Sequence, residues 1–222
     1  MSQPDRRQAR QLADESLKRG DALGWFEELY AQADGDPTAI PWADLDVNPH
    51  LAEWLAREAP ASHGRRALVV GCGLGDDAQE LAARGFTVVA FDLSATAIDW
   101  CRRRFPDSSA DFQVASVFEL PPDWQTAFDL VVEIYTLQVL PPELRQKAAA
   151  AIADTVAPGG SLVVIARGRE ADEDPGSMPW PLLASELDLF TQTGLRLVRF
   201  ENFFDNEEPP VRRFRALFVR DR

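Results

Sequence analysis

Histidine, cysteine and any excess of base are scarce in this chain. Its 222 residues include two histidines and two cysteines. His50 and His63 lack metal-ligand spacing, so no metal is expected, and His50, just before a helix, reads as a polar surface residue. Cys72 and Cys101 are too few for a disulfide framework, which makes a reducing, cytoplasmic setting the simplest home. No apolar run approaches bilayer-spanning length, and the opening stretch MSQPDRRQARQLADESLKRG has no apolar segment of the secretory kind. Lysine and arginine number 23 against 36 aspartates and glutamates, a formal net charge of −13. The bases are scattered, apart from Arg102-Arg103-Arg104 and the C-terminal arginines, whereas a protein that grips phosphates presents a basic face. A nucleic-acid substrate is therefore disfavoured and uncharged or cationic small molecules stay open, although the acidity also serves solubility alone. A Gly-x-Ser-x-Gly elbow and a P-loop lysine are both missing.

What is present is an ordinary globular composition, 45% hydrophobic and 27% charged, in a length that suits one domain or one domain with an N-terminal extension. Residues 1–20 read as a polar helical arm stopped at Gly20. Trp25-Phe26-Glu27-Glu28-Leu29-Tyr30 has helical spacing, and Pro49–Glu58 carries Leu51, Trp54 and Leu55 on one face. This tryptophan-rich leader, residues 1–60, is expected to form a helical cap over residues 61–222. From Arg66 onward short apolar runs alternate with helices: strands at Ala67–Val70, Thr87–Phe91, Phe112–Val114, Phe128–Ile134 and Ser161–Ala166, helices at Asp76–Arg84, Ala95–Phe105 and Pro142–Val156. Ser185 with Asp188 resembles a capped start of a short helix that Gly194 ends. Leu195–Phe204 and Val211–Arg220 then flank the turn-forming Asp205–Pro210 and should pair antiparallel. The expected fold is α/β, a Rossmann-like, doubly wound, mostly parallel seven-stranded sheet that ends in an antiparallel hairpin.

The strongest local signal is Val69-Val70-Gly71-Cys72-Gly73-Leu74-Gly75 between a strand and a helix. Such a turn lets a ligand lie against bare backbone at a helix N-terminus. Cys72 needs only to be small there. Asp92 ends the second strand about 20 positions beyond Gly71, the offset of a ribose-binding acid; it could instead cap the next helix, but Ser94 is better placed for that. A dinucleotide turn wants a third glycine where Asp76 stands. Carboxylates at Asp76-Asp77 repel a pyrophosphate yet suit the helix dipole beside a ligand without phosphate. NAD is thereby the poorer fit, and a Tyr-x-x-x-Lys pair is missing as well.

These residues resemble a known family. Ala67-Leu-Val-Val-Gly-Cys-Gly-Leu-Gly-Asp-Asp77 and Gly85-Phe-Thr-Val-Val-Ala-Phe-Asp-Leu-Ser-Ala-Thr-Ala-Ile98 look like class I S-adenosylmethionine-dependent methyltransferases, closest to the branch that holds thiopurine, tellurite-resistance and halide/thiol methyltransferases. Ile40-Pro41-Trp42, Phe128-Asp-Leu-Val-Val-Glu133 and Ala157-Pro158-Gly159-Gly160 support the resemblance, which spans about residues 25–220. It implies S-adenosyl-L-methionine as cofactor and methyl transfer to a small thiol, phenol, amine or similar nucleophile. Trp42, Gly71, Cys72, Gly73, Gly75, Asp92, Leu93, Ser116, Val117, Phe118 and Glu133 would surround the cofactor. Two departures stand out. Val69 holds a place where many members have an acid, and Ser116 a place where many have an adenine-contacting acid; Ser116 fits a plain strand-end turn equally well.

Glu133 sits at the carboxyl end of the fourth strand, where open α/β sheets place ligands. It is expected to orient substrate, take a proton or hold the methionine end of the cofactor, with Tyr135 and Gln138 beside it; a surface glutamate at a strand end is the plainer alternative. Trp42 is the best candidate to face a sulfonium. Trp54 reads as core, and Trp25 and Tyr30 divide evenly between packing and function. The leader, Glu133, Tyr135 and the Glu170–Trp180 loop are expected to build the acceptor pocket. A monomer or weak homodimer is expected, without membrane or nucleic acid. A non-catalytic cofactor-binding module stays open beside the enzyme, and a nicotinamide oxidoreductase less so.

Overall fold

The computed structural model describes residues 6–222, so the first five residues of the N-terminal arm lie outside it. Eight strands form the sheet: β1 (Arg66–Val70), β2 (Thr87–Asp92), β3 (Asp111–Val114), β4 (Phe128–Ile134), β5 (Val156–Arg169), β6 (Leu182–Leu183), β7 (Leu195–Phe204) and β8 (Arg212–Arg220). Seven run in the order β3-β2-β1-β4-β5-β8-β7, and the two-residue β6 pairs beside β5. Strands β1 to β6 pair parallel, while β8 is antiparallel to both β5 and β7. The expected seven strands and C-terminal hairpin are present, with β6 in addition. Strand order reverses between β1 and β4, which opens a crevice above their carboxyl ends.

Strand residues alternate between two helical layers. Val131 faces one side, where Ala148, Ala149 and Ile152 of α6 (Pro142–Asp154) and Phe190 of α7 (Asp188–Thr191) cover the sheet. Leu130 and Val132 face the other, against Ala78 and Leu81 of α4 (Asp76–Ala83) and Ile98 and Cys101 of α5 (Ala95–Arg104). Leu51, Trp54 and Leu55 of α3 (Pro49–Glu58) bury in this second layer, so α3 packs on the sheet's flank although it falls in the stretch expected as cap. Asn48 starts α3 by accepting the amides of His50 and Leu51 (3.0 and 3.3 Å).

A third apolar cluster lies over the strand ends. Leu12 of α1 (Arg7–Lys18), Trp25, Leu29 and Tyr30 of α2 (Gly24–Ala33) and Ile40 pack with Leu74, Trp100 and Met178. Two local readings need correction. His50 is buried, edge-on to Phe203 at 5.3 Å, because Arg215 reaches over to its carbonyl (2.9 Å) and closes the hairpin on α3. Ser185 lies inside a 3-10 turn, Ala184–Leu187, whose start is capped by Glu186 accepting the amide of Leu183 at 2.8 Å. Strands β3 and β7 are the two edges of the sheet, and the register of β7 against β8 shifts between Leu197 and Arg199. Among the described residues no helix is long and apolar enough to cross a membrane.

Candidate functional site

The glycine turn follows β1 without a break. Cys72 donates its amide to the Phe91 carbonyl (2.8 Å), which fastens the turn to the end of β2. Asp92 then braces both sides of the crevice: its Oδ2 accepts the Gly73 amide and its Oδ1 the Ser94 amide, each at 2.9 Å. Each oxygen keeps a further lone pair for a ligand hydroxyl. Burial pushes the Asp92 carboxyl up to about 6, against the pull of those amides. Ser94 caps α5 by accepting the Ala97 amide (2.9 Å), which leaves Asp92 out of that role. Gly75, at φ +89°, opens α4, and a Cβ there would stand 2.9 Å from Phe112 Cε1 and 3.0 Å from Cys101 Sγ. Its need for glycine comes from packing. At Gly73 a Cβ would stand 3.3 Å from the Tyr30 hydroxyl, so the bare backbone keeps a slot open beneath the aromatics.

Neither helix-opening acid is idle. Asp76 takes a two-pronged contact from Arg104 (2.7 and 2.8 Å), and Asp77 accepts the Asn48 amide (2.8 Å), with burial lifting its carboxyl to about 6. The thiol of Cys72 is raised by its Cys101 neighbour and by burial, the reverse of an activated nucleophile.

The cap is latched to the same stretch of chain that carries Asp92. Glu27 of α2 accepts the Ser94 hydroxyl at Oε2 (2.6 Å), the Thr96 hydroxyl at Oε1 (2.6 Å) and the Thr96 amide (3.2 Å). Burial works against its charge, but these donors win and hold the carboxyl below its usual range. Trp42 donates its indole N–H to the Tyr30 hydroxyl (2.8 Å), and its ring meets Trp25 and Tyr30 edge-on, both at 6.1 Å. Sequence divided Tyr30 between packing and function; its side chain is buried and also forms part of the cavity wall.

Floor and cap enclose a cavity of about 1080 Å³. Of the residues expected around a ligand, Trp42, Gly71, Cys72, Gly73, Asp92, Leu93, Ser116, Val117 and Tyr135 line it, as does Gln138. Gly75, Phe118 and Glu133 are not among its lining residues. Phe118 packs on the core with Lys147 Nζ 5.4 Å from its ring centre, and its amide donates to Ser116 Oγ (3.2 Å) in a turn. Glu133 pairs in register with Val70 and Val164 and, like Val131, lies on the α6 side of the sheet. Its side chain is fully buried: Oε1 accepts the amides of Thr136 and Leu137 (2.7 and 3.0 Å), while Oε2 has no partner. Burial raises this carboxyl to about 7. It shapes the loop that carries Tyr135 from behind the wall. From the Glu170–Trp180 loop only Met178 and Pro179 reach the cavity; Trp180 lies off it, with Arg145 6.0 Å from its ring.

The end of the cavity beyond Tyr135 has a lining that sequence reasoning missed: Arg6, Asn48, Thr136, Arg167, Arg213 and the Asp205–Glu208 loop. Arg213 is buried between Asp205 (2.6 Å) and Glu207 and lies over the Tyr135 ring at 5.3 Å. Arg167 carried a usable signal, a charged residue just past a predicted parallel strand. Arg213 carried none, because its position depends on the hairpin folding back across the sheet.

Comparison with known proteins agrees with this geometry. Residues 67–160, which run from β1 to the start of β5 and include the glycine turn and Asp92, match the family model of a methyltransferase domain. A ubiquinone biosynthesis O-methyltransferase of Aromatoleum aromaticum is 32% identical over 119 residues, 53% of this chain and 50% of that protein. A probable thiol methyltransferase 2 of Arabidopsis thaliana is 26% identical over 182 residues, 81% of this chain and 76% of that protein. The chain thus spans about half the length of the ubiquinone-biosynthesis relatives it matches. Among solved structures, the N-methyltransferase NodS of Bradyrhizobium japonicum, in complex with S-adenosyl-L-homocysteine, superposes with a TM-score of 0.69 at 20% identity. The match covers 89% of this chain and 98% of that one. The fold is that of the S-adenosylmethionine-dependent methyltransferases.

Proposed function

We propose that this protein is an S-adenosyl-L-methionine-dependent methyltransferase that acts on a small-molecule acceptor. The observation that carries the reading is one continuous cavity that joins the glycine turn and Asp92 to the Tyr135–Arg167–Arg213 end. At about 1080 Å³ it exceeds the ~300–1,000 Å³ of pockets for a single small ligand, so cofactor and acceptor can share it. The donor set fits a nucleoside that has no phosphate. Asp92 offers lone pairs to two ribose hydroxyls, Gly73 leaves backbone bare, Ser116 and Val117 supply an edge for a base, and no arginine or lysine lies on the turn itself.

When bound, the cofactor supplies a methyl on a positively charged sulfur, and the C–S electron pair stays on sulfur, so the leaving group needs no proton. The protein's part is to hold, align and exclude water. Asp92 anchors the nucleoside, while Tyr30, Trp42 and Phe26 give an aromatic wall that suits a cation. The cap, latched through Glu27, covers the reacting end. An acceptor thiol or phenol that arrives ionised forms its new bond to the methyl carbon without a base. We place the chain in the thiopurine- and thiol-methyltransferase-like branch, supported by Val69, the Ile40-Pro41-Trp42 leader and the 81% coverage by the Arabidopsis relative. The functional unit we propose is residues 61–222 with the leader as its cap.

Calorimetry with S-adenosylmethionine, S-adenosylhomocysteine and NAD tests the cofactor, and binding of NAD alone sinks the reading. Transfer of a labelled methyl group to a panel of thiols, phenols and amines tests the activity; cofactor binding with no transfer to any of them would point to a non-catalytic module.

A further inference from the structure

We propose that β7 is a self-association edge, where two copies of this chain pair antiparallel about a two-fold axis at Phe200 and join their sheets into one. The inference stands apart from the methyl-transfer reading. Two chains that each carry a net charge of −13 repel, so contact between them needs a place where the local charge differs. β7 is such a place, with Arg196 and Arg199 against Glu201 alone.

The two edges of the sheet are built differently. β3 is four residues long, and its Gln113 side chain donates to the Asp111 carboxylate (2.6 Å) along the rim. β7 runs for ten residues without a proline or a lysine. Among the described residues no strand pairs on its outer side, so alternate backbone N–H and C=O groups are open to a ladder. Edges are ordinarily protected by shortness, proline or charge, but here apolar side chains prevail. Leu197, Val198, Phe200 and Phe204 are 40%, 47%, 39% and 58% exposed, whereas the other exposed large apolar residues described, Leu17, Leu45 and Val114, are scattered. Leu197 and Phe200 stand opposite Phe218 and Ala216, which puts them on the α6 side of the sheet. The Phe200 ring rests against Phe214 at 5.2 Å and leaves the rest of its surface open.

The order of charges along β7 selects a second copy as the occupant. Pairing about Phe200 sets that ring against its own counterpart and Arg199 against Glu201 of the second copy, twice over. An axis at Glu201 would instead oppose two glutamates, and one at Arg199 two arginines. Both charges lie on the α3 side, Arg199 opposite Leu217 and Glu201 opposite Arg215. Within one chain Arg199 meets Glu58, while Glu201 takes Arg57 (2.8 Å) and Arg215 (2.6 Å). Across the axis these local pairs become one row of alternating sign. The register shift leaves Val198 unmatched against β8 and keeps the regular ladder short. Total burial on the order of 1,000 Å² is the low end for a specific interface, so a dissociation constant of about 10–100 μM is expected. β7 leads directly into Asp205, which holds Arg213 in the cavity wall (2.6 Å), so pairing steadies that wall from outside.

The test is sedimentation equilibrium of the full chain from about 1 to 500 μM, where the average mass should climb toward that of two chains. Arg199→Glu and Glu201→Lys, each alone, set like charges across the axis and should weaken association about 10-fold or more. An equimolar mixture of the two variants restores opposite charges at both positions and should recover the wild-type strength. A wild type that stays monomeric at about 500 μM overturns the proposal. So does association that Arg199→Glu leaves unchanged, or a mixture no stronger than its components. Should Glu201→Lys fail to fold, since Glu201 holds Arg57 and Arg215, Arg199→Glu and a cross-link decide. Residues directly opposite on paired strands lie within disulfide reach, so Phe200→Cys should give a covalent dimer under mild oxidation. Leu45→Cys, exposed elsewhere, should not, and equal cross-linking by the two would also overturn the pairing. None of these outcomes bears on the cofactor, whose own assays decide the methyl-transfer reading.

Discussion

Replacing Glu27 by alanine should loosen the cap while leaving the sheet intact. Three hydrogen bonds converge on this one carboxylate, from the Ser94 hydroxyl, the Thr96 hydroxyl and the Thr96 amide. Hydrogen bonds to a charged group contribute ~1.5–3 kcal/mol each when well shielded. Glu27 is only half-buried and the freed groups regain water, so the three together are reduced to about 2 kcal/mol. For a chain of this size that is a fall in Tm of ~4–8 °C if the cap melts with the rest. If it melts separately, amide exchange in Gly24–Ala33 should accelerate and that in β1 and β4 should not. Glu27→Gln keeps the shape without the charge and should lose about half as much. Because the Glu27 carboxyl is held below its ordinary range in the fold, its contribution is present above the unfolded value and drains away as the pH falls through the folded one. The difference in Tm between wild type and Glu27→Gln should therefore shrink in acid. A Glu27→Ala variant with an unchanged Tm and unchanged exchange in α2 would refute the latch.

Asp92→Ala should weaken S-adenosylhomocysteine binding by ~1–3 kcal/mol in calorimetry, since it removes ligand lone pairs and the brace on Gly73; equal affinity would take Asp92 out of the site. Gly75→Ala should destabilise the fold by ~1–3 kcal/mol in urea, because a Cβ 2.9 Å from Phe112 must push into α5 and β3 from a left-handed backbone. Glu133 has a carboxyl raised to about 7 by burial, so the stability present below its unfolded value is lost as pH rises toward 7. Glu133→Gln should remove up to about 3 kcal/mol of that decline between pH 5 and 8, leaving the smaller declines of the same sign from Asp77 and Asp92; a wild-type slope in the variant would contradict this.

Much of the fold could be read from the sequence because its signals are local. The β1–glycine–α4 unit, the Ser94 cap and the alternation that separates Val131 from Val132 each depend on a few neighbouring residues. The hairpin ran to the expected Leu195–Phe204 and began one residue later than expected on its second arm, at Arg212. What could not be read depends on distant partners. His50 is buried because Arg215 arrives from the far end of the chain. Glu133 occupies the expected place on its strand, yet its carboxylate turns under the Thr136–Leu137 loop, whose amides it accepts, and that burial keeps it off the cavity lining. The glycine-turn half of the cavity was visible for the same reason as the fold; Arg6 and Arg213 were not, because the chain brings them beside Arg167 from far apart in the sequence.

That division has a bearing on how kinship should be weighed for proteins of this kind. The floor of the cavity, from Gly71 to Val117, is inherited in one piece within the 67–160 match. Arg6, Arg167, Asp205, Glu207 and Arg213 all fall outside it. Two proteins can therefore be alike across that span and differ in much of the cavity's far wall. A likeness confined to that span speaks for the glycine turn and Asp92, while much of the far wall of the cavity comes from parts of the chain that such a likeness does not reach.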